Sequence, residues 1–379
     1  MDVMNDDALV LVLERVDSHV SLIRAAAVCR RWRRAITDAA FLRRYRSHHA
    51  PAVAGYYHNH PSLWNAGERT GHAPLFFPTS PSRVDAGHFS LDFLPDGAAS
   101  WCIWDSRGSL LVLFDDRQLK RSFPDHVICE PLTQRYRMVP LPPDSDSCNC
   151  LGPFLLDGEA DETGGRISMS NFRLLCLFNC NGVTLTSVFT AGSSWSEKST
   201  DPMAPSFTSS IWPSYILGRA SGSWYFYIGD ESGKLFDLNA TTGAFSSSVL
   251  PAIEDWDFHI QTHNCVLTEG CDGKPRIIVV FNDTMKVFAR LDSTEWALEK
   301  KIQLSEATCS LPGYPSSLLR HGISTVGVGF IILSQVSGEP WPFSVNLETM
   351  EAAPAEKKMG RRAYPCELSW PPALHACLD

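Results

Sequence analysis

The sequence has no long hydrophobic run. Its longest apolar stretches, Ala8–Leu13, Leu110–Phe114 and Ile277–Phe281, fall far short of the roughly 20 residues that span a bilayer, so no membrane partner is expected. A cationic leader is also missing. The first ten residues carry Asp2, Asp6 and Asp7 and no Lys or Arg, whereas a secretory signal begins with positive charge and then an unbroken apolar segment. A cytoplasmic and/or nuclear location is therefore expected. Positive charge is scarce overall: 33 Lys and Arg stand against 42 Asp and Glu, a net charge of −9. That balance excludes a nucleic-acid binder working by general electrostatics.

Signatures of catalysis are thin. There is no Gly-x-Ser-x-Gly elbow and no Walker loop. Gly327-Val328-Gly329 lacks the third glycine and the following helix of a dinucleotide site. His48, His49, His58 and His60 gather in one stretch, and His58-Asn59-His60 puts two imidazoles on one strand face. Zinc needs further ligands, however, and Cys148-Asn149-Cys150 is distant, in an expected loop. Cys176 and Cys180 are not spaced as a zinc knuckle. Glu254, Asp255 and Asp257 around Trp256 read as an exposed acidic turn rather than an acid–base pair. No cofactor, no metal and no catalytic residue is expected. The twelve cysteines, several of them single within apolar stretches as Cys102, Cys176, Cys265 and Cys309 are, read as reduced small hydrophobes.

What is present divides near residue 50. Residues 1–46 hold nine Arg and six acids, a net of +3, so the remainder sums to −12. Leu9, Leu13 and Val16 recur as one face of a short helix preceded by Asp6 and Asp7, where carboxylates cap free amides. Leu22, Ala25, Cys29, Trp32 and Ile36 follow at helical spacing, with Ser21 as N-cap. A third helix starts at Thr37 or Asp38 and carries Phe41, Leu42 and Tyr45. Three such helices make a small core, and part of this apolar surface is expected to belong to a partner.

Beyond residue 100 the period changes to two. Trp224–Ile228, Lys234–Leu238 and Ala244–Leu250 alternate with turn-forming clusters of Gly, Asp, Asn and Ser. The same phrase returns at Ile277 and Phe330 and is readable earlier at Leu110 and Leu174, with spacings of 64, 50, 53 and 53. Several copies have an extra strand just upstream, as at Trp101–Trp104, Ile216–Gly218 and Cys265–Thr268. Four antiparallel strands every fifty-odd residues predict propeller blades. Val53–Leu94, with Leu75–Phe77 and Phe89–Leu94, supplies a sixth. The expected architecture is therefore α plus all-β: a three-helix module at 1–48, then a β-propeller of about six four-stranded blades at 49–379. Seven blades or a β-sandwich pair are the alternatives.

The segment around Asp6-Asp7, Leu9, Leu13, Ser21-Leu22, Val28-Cys29-Arg30-Arg31-Trp32, Ile36, Asp38 and Phe41-Leu42 resembles an F-box, specifically that of large plant (grass-like) families with a propeller-like associated region. The resemblance covers roughly residues 4–46. It departs at Met4-Asn5, where the family usually has Leu-Pro; Asn5 cannot fix φ as proline does, which lowers the expected adaptor affinity. An F-box implies docking on a Skp-type adaptor and, through it, a cullin. The adaptor face expected on that basis comprises Met4, Leu9, Leu13, Val16, Leu22, Val28, Cys29, Trp32, Ile36 and Phe41. The protein would then be the non-catalytic substrate-recognition subunit of a ubiquitin ligase, holding an unknown substrate protein on its propeller.

Recognition is expected on loops. Pro142–Gly165 carries Asp157 and Glu159, Ser193–Pro213 carries Trp195 and Trp212, and Pro312–His321 carries Arg320; these five residues are the expected substrate contacts. Two rival functions are a propeller lectin or small-ligand receptor coupled to degradation, and a propeller enzyme with a vestigial F-box. Fold does not decide among them.

Overall fold

The computed structural model describes residues 5–16, 19–49, 53–60, 72–79, 86–118, 121–143, 148–157, 167–192, 194–205, 216–227, 233–250, 264–270, 272–291, 295–313, 321–335, 341–355 and 362–368. The N-terminal part is four helices: α1 (Asp6–Glu14), α2 (His19–Val28), α3 (Arg30–Thr37) and α4 (Ala39–His48). Asn5 caps α1. Its side chain accepts from the Asp7 N–H and its φ is −58°, the value at which a proline ring would hold it. Asp6 and Asp7 thus fall in the first turn, at the positive end of the helix dipole.

Four helices replace the three expected because Cys29, extended at φ −160° and ψ 165°, ends α2 and starts α3. Both halves bury against the same core, so the apolar spacing runs across the break and conceals it. The carboxylate of Asp38 caps α4, accepting from the Ala40 and Phe41 N–H groups. Leu9, Leu13, Leu22, Ala26, Ile36, Phe41, Leu42 and Tyr45 form the core of this module. The Tyr45 hydroxyl donates to the Val16 carbonyl at 2.6 Å, tying α4 to the end of α1.

The rest is mostly β. Strands β1 (Val53–His58) and β2 (Leu75–Pro78) are followed by β3 (Trp101–Arg107), β4 (Leu110–Asp115), β5 (His126–Glu130) and β6 (Arg135–Val139). Next come β7 (Asn149–Leu156), β8 (Arg173–Cys180), β9 (Val183–Thr190) and β10 (Ser199–Thr200). They are followed by β11 (Ile216–Ala220), β12 (Ser223–Tyr227), β13 (Lys234–Asn239) and β14 (Phe245–Val249). Then β15 (Cys265–Glu269), β16 (Pro275–Phe281), β17 (Thr284–Arg290) and β18 (Trp296–Gln303) precede a short helix, α5 (Leu304–Thr308). The chain continues with β19 (His321–Gly327), β20 (Phe330–Gln335), β21 (Phe343–Asn346), β22 (Ala352–Pro354) and β23 (Tyr364–Glu367).

Strands β3–β6, β7–β10 and β19–β22 are separate four-stranded antiparallel meanders. The meanders β11–β14 and β15–β18 join into one curled eight-stranded sheet through a parallel contact, Gly218 to Leu267. The last sheet, β2-β1-β23, pairs the start of the β body with its end. The five repeat anchors Leu110, Leu174, Trp224, Ile277 and Phe330 all lie on the second strand of a meander. Each meander packs on the next. Leu111 and Leu113 of β4 face a cluster shared with β1 and β23, while Leu110 and Val112 face one shared with β7–β9. Alternate residues of one strand therefore serve two neighbours, which is why Leu110–Phe114 is apolar throughout. Clusters shared by β7–β8 with β11–β14, by β11–β13 with β15–β17, and by β15–β17 with β19–β21 continue the series. An edge-on contact of Tyr56 with Phe330 links β1 to β20.

Three expectations change here. The Pro142–Gly165 loop contains β7, whose Gly152-Pro153 looks like turn chemistry; β7 pairs only with β8 in its sheet, an edge position that tolerates proline. Phe89–Leu94 is not a strand: Phe89 ends a short 3-10 turn (Ala86–Phe89) and the chain then turns irregularly, with Leu91 and Leu94 buried. The first sheet takes its third strand from the C-terminal segment instead. Finally, Cys148 and Cys180 form a disulfide, Cα to Cα 4.4 Å. The β7–β8 register pairs Asn149 with Asn179 and so sets those two cysteines opposite one another, a proximity that a separation of 32 residues conceals. Cys102, Cys176 and Cys265 are buried free thiols, and Cys309 is exposed.

Candidate functional site

Several first strands of successive meanders lie side by side. Strand β3 runs against β7, β11 against β15, β15 against β19, and β23 against β3. Gly218 permits the closest approach: a Cβ there would stand 1.7 Å from the Leu267 carbonyl oxygen. Asn59, just past β1, exchanges two hydrogen bonds with the Ile103 backbone of β3, at 2.7 and 2.9 Å. The Ala363 N–H donates to the Val326 carbonyl of β19 at 3.2 Å. These strands enclose a cavity of about 860 Å³, reached by Tyr56 of β1, Asp105 of β3, Arg219 of β11, Thr268 of β15, Val326 of β19 and Tyr364 of β23.

Charge is concentrated on the inner wall. Asp105 is 1% exposed. Its Oδ2 accepts from the Leu155 N–H at 2.8 Å, its Oδ1 stands 3.7 Å from Arg219 Nη1, and Oδ1 has no hydrogen-bond partner. Burial pushes the Asp105 carboxyl up to about 7, against the pull of Arg219, of the backbone hydrogen bonds and of Arg362. Arg219 also donates to the Ser106 carbonyl at 2.9 Å and lies over the Trp224 ring. Burial lowers its pKa, opposed by Asp105, Glu367 and Glu269. Arg362 donates to the Ile216 carbonyl and is hydrogen-bonded to Tyr364. Burial lowers the Arg362 pKa, and Tyr364, pushed up to about 12 by burial, stays protonated. A buried carboxylate touching two further meanders is a polar pin for the inner strands at the cavity wall.

Asp157, an expected substrate contact, lines this cavity and is engaged within the fold. It pairs with Arg107, accepts from the Thr241 hydroxyl, and its carbonyl accepts from Arg173 Nε at 2.9 Å. Trp195 is half-buried. It packs on Phe123, Phe178 and Phe189, and its indole N–H donates to the Pro140 carbonyl at 3.1 Å; it covers the core instead of standing free. Trp212, Glu159, Arg320 and Met4 lie outside the described residues, as does the Glu254–Asp257 stretch.

The expected adaptor face divides in two. Leu9, Leu13, Leu22, Ile36 and Phe41 belong to the inner core of the module, and Val16 and Trp32 pack against that core. Val28 is 66% exposed and Cys29 is exposed. Two exposed apolar residues escaped the spacing argument, Leu11 at 60% and Val12 at 55%. Their signal was the unbroken run Ala8–Leu13, which is wider than a single helical face needs. Asp105, Arg219 and Arg362 were also missed. A charged residue inside an otherwise apolar strand, as in Cys102-Ile103-Trp104-Asp105, was the available sign.

Residues 6–48 match the family model described as F-box-like, and an F-box-like domain is therefore present there. No curated protein matches the chain. Among solved structures, a streptogramin B lyase shares 11% identity at a TM-score of 0.37, covering 83% of this chain and 91% of that one. A virginiamycin B lyase from Staphylococcus aureus shares 11% at 0.35, covering 68% and 69%. AztD from Citrobacter koseri, in its apo form, shares 11% at 0.34, covering 79% and 80%.

Proposed function

We propose that this protein is a substrate-recognition subunit of a Skp–cullin–F-box ubiquitin ligase, of the kind found in large plant families. The observation that carries this reading is the F-box-like domain at residues 6–48. In this reading the helical module, residues 1–48, docks on a Skp-type adaptor and through it a cullin. Exposed Leu11, Val12, Val28 and Cys29 supply apolar contact of the kind helical interfaces use, and exposed arginines such as Arg30 and Arg34 form a cationic rim.

The β body, residues 49–379, is a six-bladed propeller in this reading. The five meanders are five blades and β2-β1-β23 is the sixth, closed by a strand from the far end of the chain. The clusters shared by successive sheets support that ring. The propeller presents an unknown substrate protein in the cytoplasm and/or nucleus. The chain itself is non-catalytic; it supplies proximity while other subunits perform the transfer.

The test is co-purification of the full chain with a Skp-type adaptor, beside a Leu11→Asp, Val28→Asp variant. Capture by the wild-type chain and its loss in a variant with unchanged thermal unfolding supports the reading. A folded wild-type chain that captures no adaptor overturns it.

A further inference from the structure

The charges around the cavity are unevenly matched. Arg219 is countered by Asp105, Glu367 and Glu269. Among the described residues, Arg362 has only Asp105 as an opposing carboxylate, and none pairs with it within 4 Å. Its other partners are neutral, the Ile216 carbonyl and the Tyr364 side chain. A guanidinium carries five N–H donors and keeps its charge, and among the described residues only the Ile216 carbonyl and the Tyr364 side chain engage them. The Tyr364 hydroxyl accepts from Arg362, which leaves its own hydrogen to donate. Arg362 and Tyr364 both line the cavity, together with the half-buried Val53, Tyr56, Val326 and Ala363.

We propose that the cavity binds a monocarboxylate with an apolar body, its carboxylate held by Arg362 and the Tyr364 hydroxyl and its body lying against the half-buried Tyr56 and Val326. A guanidinium and a hydroxyl matched to one carboxylate make charge-assisted hydrogen bonds, which are stronger than neutral ones. Glu269 and Glu367 near Arg219, with Glu130 and Asp157 also on the wall, disfavour a doubly charged phosphate more than a single negative charge. Asp105 sets the affinity: its ionised form opposes the incoming carboxylate and its protonated form does not. The carboxylate could be that of a free small acid or the C-terminus of a polypeptide. The proposal concerns the cavity alone and stands whether or not the helices dock on an adaptor.

Isothermal titration of the full chain tests it with 4-phenylbutyrate, its amide, inorganic phosphate, and an apolar hexapeptide with a free or amidated C-terminus. Saturable binding of 4-phenylbutyrate or of the free-ended peptide, absent for the matching amide and for phosphate, is the expected result. Binding of the peptide alone assigns the site to a chain terminus, and binding of both assigns it to any carboxylate that fits. Arg362→Gln, which keeps a donor for the Ile216 carbonyl, and Tyr364→Phe should each weaken binding roughly tenfold or more. Asp105→Asn, which keeps an acceptor for the Leu155 N–H, should tighten it. A purely structural pin would not produce that gain. The proposal is overturned if neither carboxylate binds at millimolar concentration, if amide or phosphate binds as well as the carboxylate, or if folded Arg362→Gln and Tyr364→Phe proteins bind like the wild type.

Discussion

The helical module and the β body solve burial in opposite ways. The module encloses eight side chains and leaves Leu11, Val12 and Val28 in solvent. The β body distributes its apolar surface over clusters shared between neighbouring sheets and can bury Asp105 on its inner wall. A small module has too little interior to bury all of its apolar residues. A repeat of sheets has many clusters and can carry charge at its centre. The candidate binding groups are therefore exposed hydrophobes in one region and buried polar groups in the other.

The comparison breaks first at the module core. Ile36→Ala should cost about 2–5 kcal/mol, most of what so small a core supplies. Hydrogen exchange should show residues 6–48 losing protection while the β strands keep theirs; equal loss in both regions would mean that they unfold together. Gly218→Ala is the converse. Its methyl group meets the Leu267 carbonyl and should cost about 3 kcal/mol, read as a lower urea midpoint for the β body with helix protection unchanged.

Two buried groups should give pH-dependent effects of comparable or smaller size. Asp105 has its folded pKa raised to about 7 from an unfolded value of about 3.9, so the native state holds the proton longer. Its contribution is fully present below about pH 4 and is lost as pH rises toward 7. His126 is buried with its folded pKa lowered by desolvation to about 4, against about 6.5 when unfolded. Its contribution is present above pH 6.5 and is lost as pH falls toward 4. The two oppose each other between about pH 4 and 6.5, each at up to about 1.4 kcal/mol per pH unit. Urea denaturation across that range should show stability rising with pH in Asp105→Asn and falling with pH in His126→Asn. Parallel curves for the two variants would refute the assignment.

The smallest effect on stability belongs to the exposed module residues. Leu11→Ser with Val28→Ser should change stability by less than about 0.5 kcal/mol while reducing adaptor capture. A large loss of stability would mean that these side chains support the fold.

Much of the β body was legible because alternation and turn chemistry are local. The second strands from Leu110 to Phe330 stand where the repeat placed them. The break at Cys29 was hidden because two helices packing on one core preserve a single spacing. Strand β7 was hidden because Gly152-Pro153 resembles a turn and only its edge position reconciles it with a strand. Asp157 and Trp195 looked like free loop residues because nothing local announces the partners Arg107, Thr241 and Pro140.

By itself the sequence determined the helical start, the period-two body, the repeat and the F-box-like character of the first residues. Each of these depends on neighbours within a few turns or strands of chain. Tertiary structure decided which apolar residues of the module face inward, that β1 pairs with β23, and that Cys148 meets Cys180. It also decided that Asp105, Arg219 and Arg362, spread over 258 residues of chain, share one cavity wall. Those outcomes depend on strand register and on how successive sheets pack, and neither is encoded in the spacing of any single segment.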